Sequence, residues 1–216
     1  MWALISNNTV DRVIRTPVQI TVGGVTYPRS IFTKWSKPEL AALGILPYME
    51  NKVDTRYYWT GNVSYSISDT AVVGNYTGSD RDLDGLKEGL LSRVKQQAAS
   101  KLAATDWMVI READGGKAVS QEVRDYRAGI RLTSDLLEGE INGIQTLADF
   151  IAYDNKQFKE VRKVKHSVEN EDGTVTETYG PETEESIRTI SGADARWPVD
   201  PLAEVDPAFV SLTEVV

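Results

Sequence analysis

The chain has 216 residues, 41% of them hydrophobic and 26% charged, a balance ordinary for a folded domain or two. It has no cysteine and a single histidine, which excludes disulfides, thiol nucleophiles, zinc ribbons and His-rich metal centres. The net charge of -8 is unevenly placed, because residues 167 to 216 hold twelve acids against two bases while the first 166 carry a net +2. An acidic balance of this kind repels phosphate backbones, so no nucleic-acid partner is expected. No run approaches the roughly 18 apolar residues of a membrane span, and Met1–Ser6 lacks the basic flank and apolar core of a signal peptide.

In chain order, residues 1 to 78 read as a β-rich module. Trp2–Ser6 is a short apolar run before a turn at Asn7-Asn8. Val18–Val22 alternates into Gly23-Gly24, a two-residue hairpin signal, with Val25–Tyr27 returning. Ser36-Lys37-Pro38-Glu39 fits a capping box for a short helix stopped at Gly44. Tyr57, Trp59, Val63, Tyr65 and Ile67 alternate as strands with a turn expected at Gly61-Asn62, and Val72, Val73 and Tyr76 continue the pattern. Such aromatics are most simply the packed face of a small sheet, with a carbohydrate platform as the distant alternative.

Residues 79 to 155 read as helical. Asp80 is the expected N-cap, with Asp82 and Asp84 in the first turn. Leu83, Leu86, Leu90, Val94, Ala98 and Leu102 form one apolar stripe. Val119, Val123, Tyr126, Ile130, Leu137, Ile141 and Ile144 form a second, and Gly115-Gly116 lies between them. This predicts an antiparallel helical hairpin of two rods, each roughly 35 to 40 Å long. A shorter helix is expected around Leu147, Phe150 and Ile151. Residues 156 to 190 read as a β-hairpin turning at Asp172-Gly173, with His166 opposite Tyr179. Residues 191 to 216, with three prolines, read as an extended acidic arm whose anchors would be Trp197, Leu202, Phe209 and Val210. Such an arm is expected to be ordered by a neighbouring subunit rather than by its own chain. The fold class is therefore α+β.

Catalytic constellations are weak throughout. His166 has no partner arranged for a triad, and the Asp80-Asp82-Asp84 series resembles a calcium loop only until position twelve, which is Leu91 instead of glutamate. Neither Gly-Gly pair has the Lys and Ser/Thr of a phosphate loop. No enzyme activity, metal or cofactor is expected.

One stretch is more specific. Leu102-Ala103-Ala104-Thr105-Asp106-Trp107-Met108-Val109-Ile110-Arg111 is followed, after a glycine-containing break, by Val123-Arg124-Asp125-Tyr126-Arg127-Ala128-Gly129-Ile130-Arg131. This pattern resembles the bacteriophage tail assembly chaperone and tail-fibre-associated family, in which a helix ending in an Asp-Trp step is followed by a short loop and a helix carrying Tyr-Arg and a further Arg. Residues 24 to 45 are similar to the amino-terminal module of small phage virion proteins. Family members often place Pro and Trp before the Tyr-Arg step, where this chain has Ser120-Gln121-Glu122-Val123.

The resemblance implies a virion protein of the phage tail, made in the host bacterial cytoplasm. It would act in the baseplate or tail-fibre region through contacts with other tail proteins, in a homo-oligomer or symmetric assembly. The alternative it also implies is an assembly chaperone that binds a fibre end. On the residues alone, Asp106 can pair with Arg127 or Arg131, Trp107 and Tyr126 can close one end of the hairpin, and Arg111 can stack on either ring. The cluster is thus either a fastener of the hairpin or a surface for partner recognition.

Overall fold

The computed structural model describes residues 1–170, 172–189, 196–198, 200–203, 206 and 208–215. It is an α+β fold, and the chain parts into two compact units, Met1–Arg81 and Asp82–Val216.

The first unit is built on a five-stranded sheet. Its strands are β1 (Trp2–Ser6), β2 (Thr9–Ile14), β5 (Ile45–Asn51), β6 (Tyr58–Ile67) and β7 (Val72–Asp80), in the order β2-β1-β5-β7-β6. Asn7 and Asn8 both take positive φ, as the tight turn between β1 and β2 demands. A separate ribbon, β3 (Ile20–Val22) with β4 (Val25–Tyr27), turns at Gly23-Gly24, also at positive φ. Helices α1 (Ile31–Lys34) and α2 (Lys37–Ala42) cover one face, where Leu4, Ile14, Ile20, Ile31, Phe32, Leu40 and Ile45 make a common core. Glu39 accepts both the N–H and the hydroxyl of Ser36 at 2.7 Å, and these bonds lower its pKa. The chain leaves α2 through Gly44 at φ +74, where a Cβ would lie 2.6 Å from the Ile5 carbonyl oxygen.

Strand β5 is invisible to pattern reading because Pro47 interrupts it, and proline is normally confined to sheet edges. The register explains its presence in a central strand. β5 pairs with β1 through Ile45–Pro47 and with β7, in parallel, only from Tyr48 onward. The missing N–H of Pro47 therefore falls outside the β7 ladder.

The turn expected at Gly61-Asn62 is instead a bulge within the single strand β6. Thr77 Oγ1 donates to the Asn62 carbonyl at 3.1 Å and would sit 2.6 Å from a Cβ at position 61, so glycine is needed for close approach rather than for reversal. The reversal is made at residues 68–71, where the Ser68 N–H donates to the Ala71 carbonyl. Trp59 is exposed, with the Arg81 guanidinium 3.9 Å from its ring centroid.

Beneath β7, Tyr48 fills the space above Gly74. A Cβ there would meet the Tyr48 hydroxyl at 2.2 Å. Tyr48 is buried, which raises its pKa, so its ring has little freedom to retreat. We expect Gly74→Ala to destabilise the chain by about 1–3 kcal/mol through overpacking, read by urea denaturation. An unchanged midpoint would show that Tyr48 can move.

Glu50 beside this ring accepts from Lys52 at 2.6 Å, Arg15 at 2.9 Å and the Tyr76 hydroxyl at 3.2 Å. The bond from Lys52, with help from Tyr76 and Arg15, holds its carboxyl below the usual range. Its stabilising contribution is complete above the unfolded value of about 4.3 and is lost as pH falls through the lower folded value. Glu50→Gln should flatten the acid limb of a stability–pH curve below about pH 5, and an identical limb in both proteins would sink that assignment.

The second unit begins with the expected helical hairpin, α3 (Leu83–Ala113) and α4 (Gln121–Gly143). The N-cap is Asp82, not Asp80, because β7 runs through Asp80. Asp82 accepts the Gly85 N–H at 2.8 Å. At 1.5 Å per residue α3 is about 46 Å long and α4 about 34 Å, so the first helix exceeds the expected length. Leu90, Val94 and Ala98 of α3 are buried, as are Val123, Tyr126, Ile130, Leu137 and Ile141 of α4. Lys87 closes the end remote from the loop by donating to the carbonyls of Asn142 and Ile144.

Helix α5 (Leu147–Asp154) leads into a three-stranded sheet ordered β10-β8-β9, from β8 (Gln157–Glu169), β9 (Val175–Thr189) and β10 (Phe209–Glu214). The β8–β9 register differs by one from expectation: His166 faces Thr178, and Tyr179 faces Lys165. The expected two-residue loop is a longer one. The Asn170 carbonyl accepts the Gly173 N–H, Asn170 itself pairs with Thr174, and Gly173 takes φ +79.

The carboxyl-terminal segment also departs from expectation. Phe209–Glu214 pairs antiparallel with β8 of its own chain, so an extended strand satisfies backbone groups that were expected to need another subunit. Residues 191–195, within the expected arm, lie outside the described residues. Among the described residues no helix is long and apolar enough to cross a membrane.

Candidate functional site

The residues singled out around the Asp-Trp and Tyr-Arg steps lie at the loop end of the α3–α4 hairpin, and the structure divides them into an inward and an outward set. The divider is helical geometry. Thr105 lies seven residues beyond Ala98 and so continues the buried stripe of α3, while Asp106 and Trp107 follow it round toward solvent.

Arg127 is the centre of the inward set. Its Nη1 donates to the Thr105 hydroxyl at 2.6 Å and to the Leu102 carbonyl at 2.9 Å, and its Nη2 meets Asp106 Oδ1 at 2.9 Å. Thr105 in turn donates to the same Leu102 carbonyl at 3.0 Å. One planar guanidinium thus ties α4 to a side chain, a carbonyl and a carboxylate of α3. Tyr126 is buried beside Ala98, Ile130, Leu102 and Trp197, and burial raises its pKa.

Trp107 does not close the hairpin with Tyr126. It is 53% exposed on the opposite side of α3, beside exposed Ile110. Arg111 stacks on it, guanidinium carbon 4.8 Å from the ring centroid. Arg131 is exposed and has no ion-pair or hydrogen-bond partner among the described residues. With Arg124, Arg127, Val109, Glu112 and Val119 it lines a cavity of about 270 Å³. Arg124 reaches Glu112 across the loop at 2.5 Å.

Sequence reasoning missed Thr105, Arg124 and Glu112. For Thr105 a signal existed, since extending the Leu90, Val94, Ala98 stripe by one heptad lands on it. Trp107→Ala should change stability by less than about 1 kcal/mol, as an exposed ring outside the core. A larger loss in thermal unfolding would place the ring in the hairpin's packing.

Of the expected arm anchors, only Trp197 is engaged. It packs on Tyr126 and Ile130, and its Nε1 donates to Gln97 Oε1 at 3.0 Å. Leu202, Phe209 and Val210 remain exposed, and the strand is held by its backbone instead. A cleft of about 760 Å³ lies where this segment meets α4, α5 and β8. Its ionic groups satisfy one another: Arg196 with Glu140, Lys156 with Glu214, and the Tyr153 hydroxyl donating to Glu140. Burial, reinforced by Glu140, pushes the Tyr153 hydroxyl up to about 12. This is the seat of the chain's own terminal segment.

Among the described residues no three His, Cys, Asp or Glu side chains converge as a metal site. His166 is exposed on the β8–β9 ribbon. Comparison with family models, with curated proteins and with solved structures finds no match to this chain.

Proposed function

We propose that this chain is a non-enzymatic structural protein of a bacteriophage tail, in the baseplate or tail-fibre region, working through contacts with other tail proteins. The observation that supports this reading is the division of the Asp-Trp/Tyr-Arg cluster. Half of it fastens the hairpin, and the other half presents exposed Trp107, with half-buried Arg111 stacked on it and apolar Ile110 beside it, and exposed Arg131. A large ring and two guanidinium groups are the residue types that concentrate binding energy in protein interfaces. Fastening and recognition are then two jobs of one motif.

The test is mass spectrometry of washed, purified particles from the phage that encodes the chain. A permanent tail protein is present at fixed stoichiometry to the other tail proteins. A chain found only in the lysate, bound to a fibre protein, is an assembly chaperone instead. A chain found in neither place, with no tail partner, refutes the proposal.

A further inference from the structure

The cavity beside Arg131 carries a charge that the chain does not use internally. Three guanidinium groups, Arg124, Arg127 and Arg131, line it from one face of α4, at spacings of three and four residues. Glu112 neutralises Arg124 and Asp106 neutralises Arg127, which leaves Arg131 as the excess cation. Val109 and Val119 supply the apolar part of the lining, and a carboxylate entering would meet Arg131 in a charge-assisted contact. At about 270 Å³ the space suits one or two acidic side chains and not a folded element.

The same unit carries the complement. Strand β9 is an edge strand exposed along nearly its whole length. Two of its acids are already paired with β8, Glu177 with Lys165 at 2.5 Å and Glu185 with Lys159 at 2.7 Å. Glu182 and Glu184 make no ion pair and no hydrogen bond among the described residues, and both are exposed. Glu184 lies in the regular ladder opposite Arg162, and Glu182 stands beside it at the end of the Gly180–Pro181 irregularity, at most about 7 Å away along the strand. No residue of β9 lines the cavity of its own chain.

We propose that a second copy of this chain is the occupant: Glu182 and Glu184 of one copy dock at the Arg131 cavity of the next. The inference rests on the outward half of the cluster being a contact surface, as proposed above. The two surfaces are different, so the contact is head-to-tail and propagates into a ring or a filament rather than stopping at a two-fold dimer.

The test uses the full chain in sedimentation velocity at about 0.02 M and about 1 M salt, since ion pairs of this kind are screened at the higher value. Association beyond the dimer is expected at low salt and dissociation at high salt. Arg131→Glu, and separately Glu182→Lys with Glu184→Lys, should each raise the dissociation constant at least about tenfold. All these positions are exposed, and unchanged circular dichroism would confirm that each variant folds.

Mixing the two variants restores association. One then supplies an intact acidic strand and the other an intact cavity, and the reversed charges also complement. A chain that stays monomeric at low salt overturns the inference, as does association that ignores both variants or a mixture that fails to recover. Presence of the chain in purified particles is a separate measurement, so a monomer found in the tail would refute the self-contact while leaving the proposed function standing.

Discussion

Replacing Ile130 with alanine is expected to destabilise the helical unit by about 2–5 kcal/mol. Ile130 is fully buried where α4 crosses Ala98 and Leu102 of α3, with Tyr126 on one side and Trp197 on the other. Removing three carbons there forfeits their transfer energy and leaves a cavity bounded by two large rings, which collapse poorly. The loss should appear in urea unfolding followed by helical circular dichroism. It should also release Trp197, visible as a red shift of tryptophan emission at denaturant concentrations where the helices persist. A variant within about 0.5 kcal/mol of the parent would mean that this junction is not the core of the unit.

Arg127→Ala is the second large effect, at about 2–4 kcal/mol. The substitution removes a side chain that is only 11% exposed, together with its hydrogen bonds to the Thr105 hydroxyl and the Leu102 carbonyl, and leaves a cavity at a buried junction where those two groups keep only their bond to each other. Asp106 is half exposed, so its own ion pair is weakened by water and contributes little of this total. Two controls separate the terms. Asp106→Ala should cost under about 1 kcal/mol, the range of an exposed pair. Arg127→Lys should recover only part of the loss, because an ammonium cannot reach a hydroxyl, a carbonyl and a carboxylate in one plane. If Arg127→Lys matches the parent, the charge alone matters and the fork geometry does not.

What could be read from the residues follows their periodicity. The stripes of α3 and α4 were legible because 3.6-residue spacing persists over six or seven apolar positions, and the Asn7-Asn8 and Gly23-Gly24 turns because positive φ selects those residues. Strand β5 was hidden by Pro47, whose tolerance depends on which neighbour each half of the strand pairs with. Pairing of this kind is not a local property. The same holds for β10, since the prolines that precede it and its sparse pattern argue against a strand until β8 is present to accept it. At the hairpin end the pairing of Asp106 with Arg127 was foreseeable from residue type. The burial of Thr105 and the exposure of Trp107 depend on a rotation about the α3 axis that two adjacent residues cannot disclose.

The order of strands carries a consequence for synthesis on the ribosome. Every strand and helix of the first unit lies within residues 1 to 81, so that unit has all its pieces once β7 has emerged. The second unit does not. Its central strand β8 remains an edge until residues 209–214 arrive, and the junction at Ile130 lacks its indole until Trp197 does. At 5–20 residues per second the interval between the two completions is on the order of ten seconds. By its end the nascent chain presents a β8 with one edge still open and a hairpin groove without its indole, while the amino-terminal unit already has all its strands. That interval is when a cellular chaperone or protease would meet this protein, and it would meet the second unit.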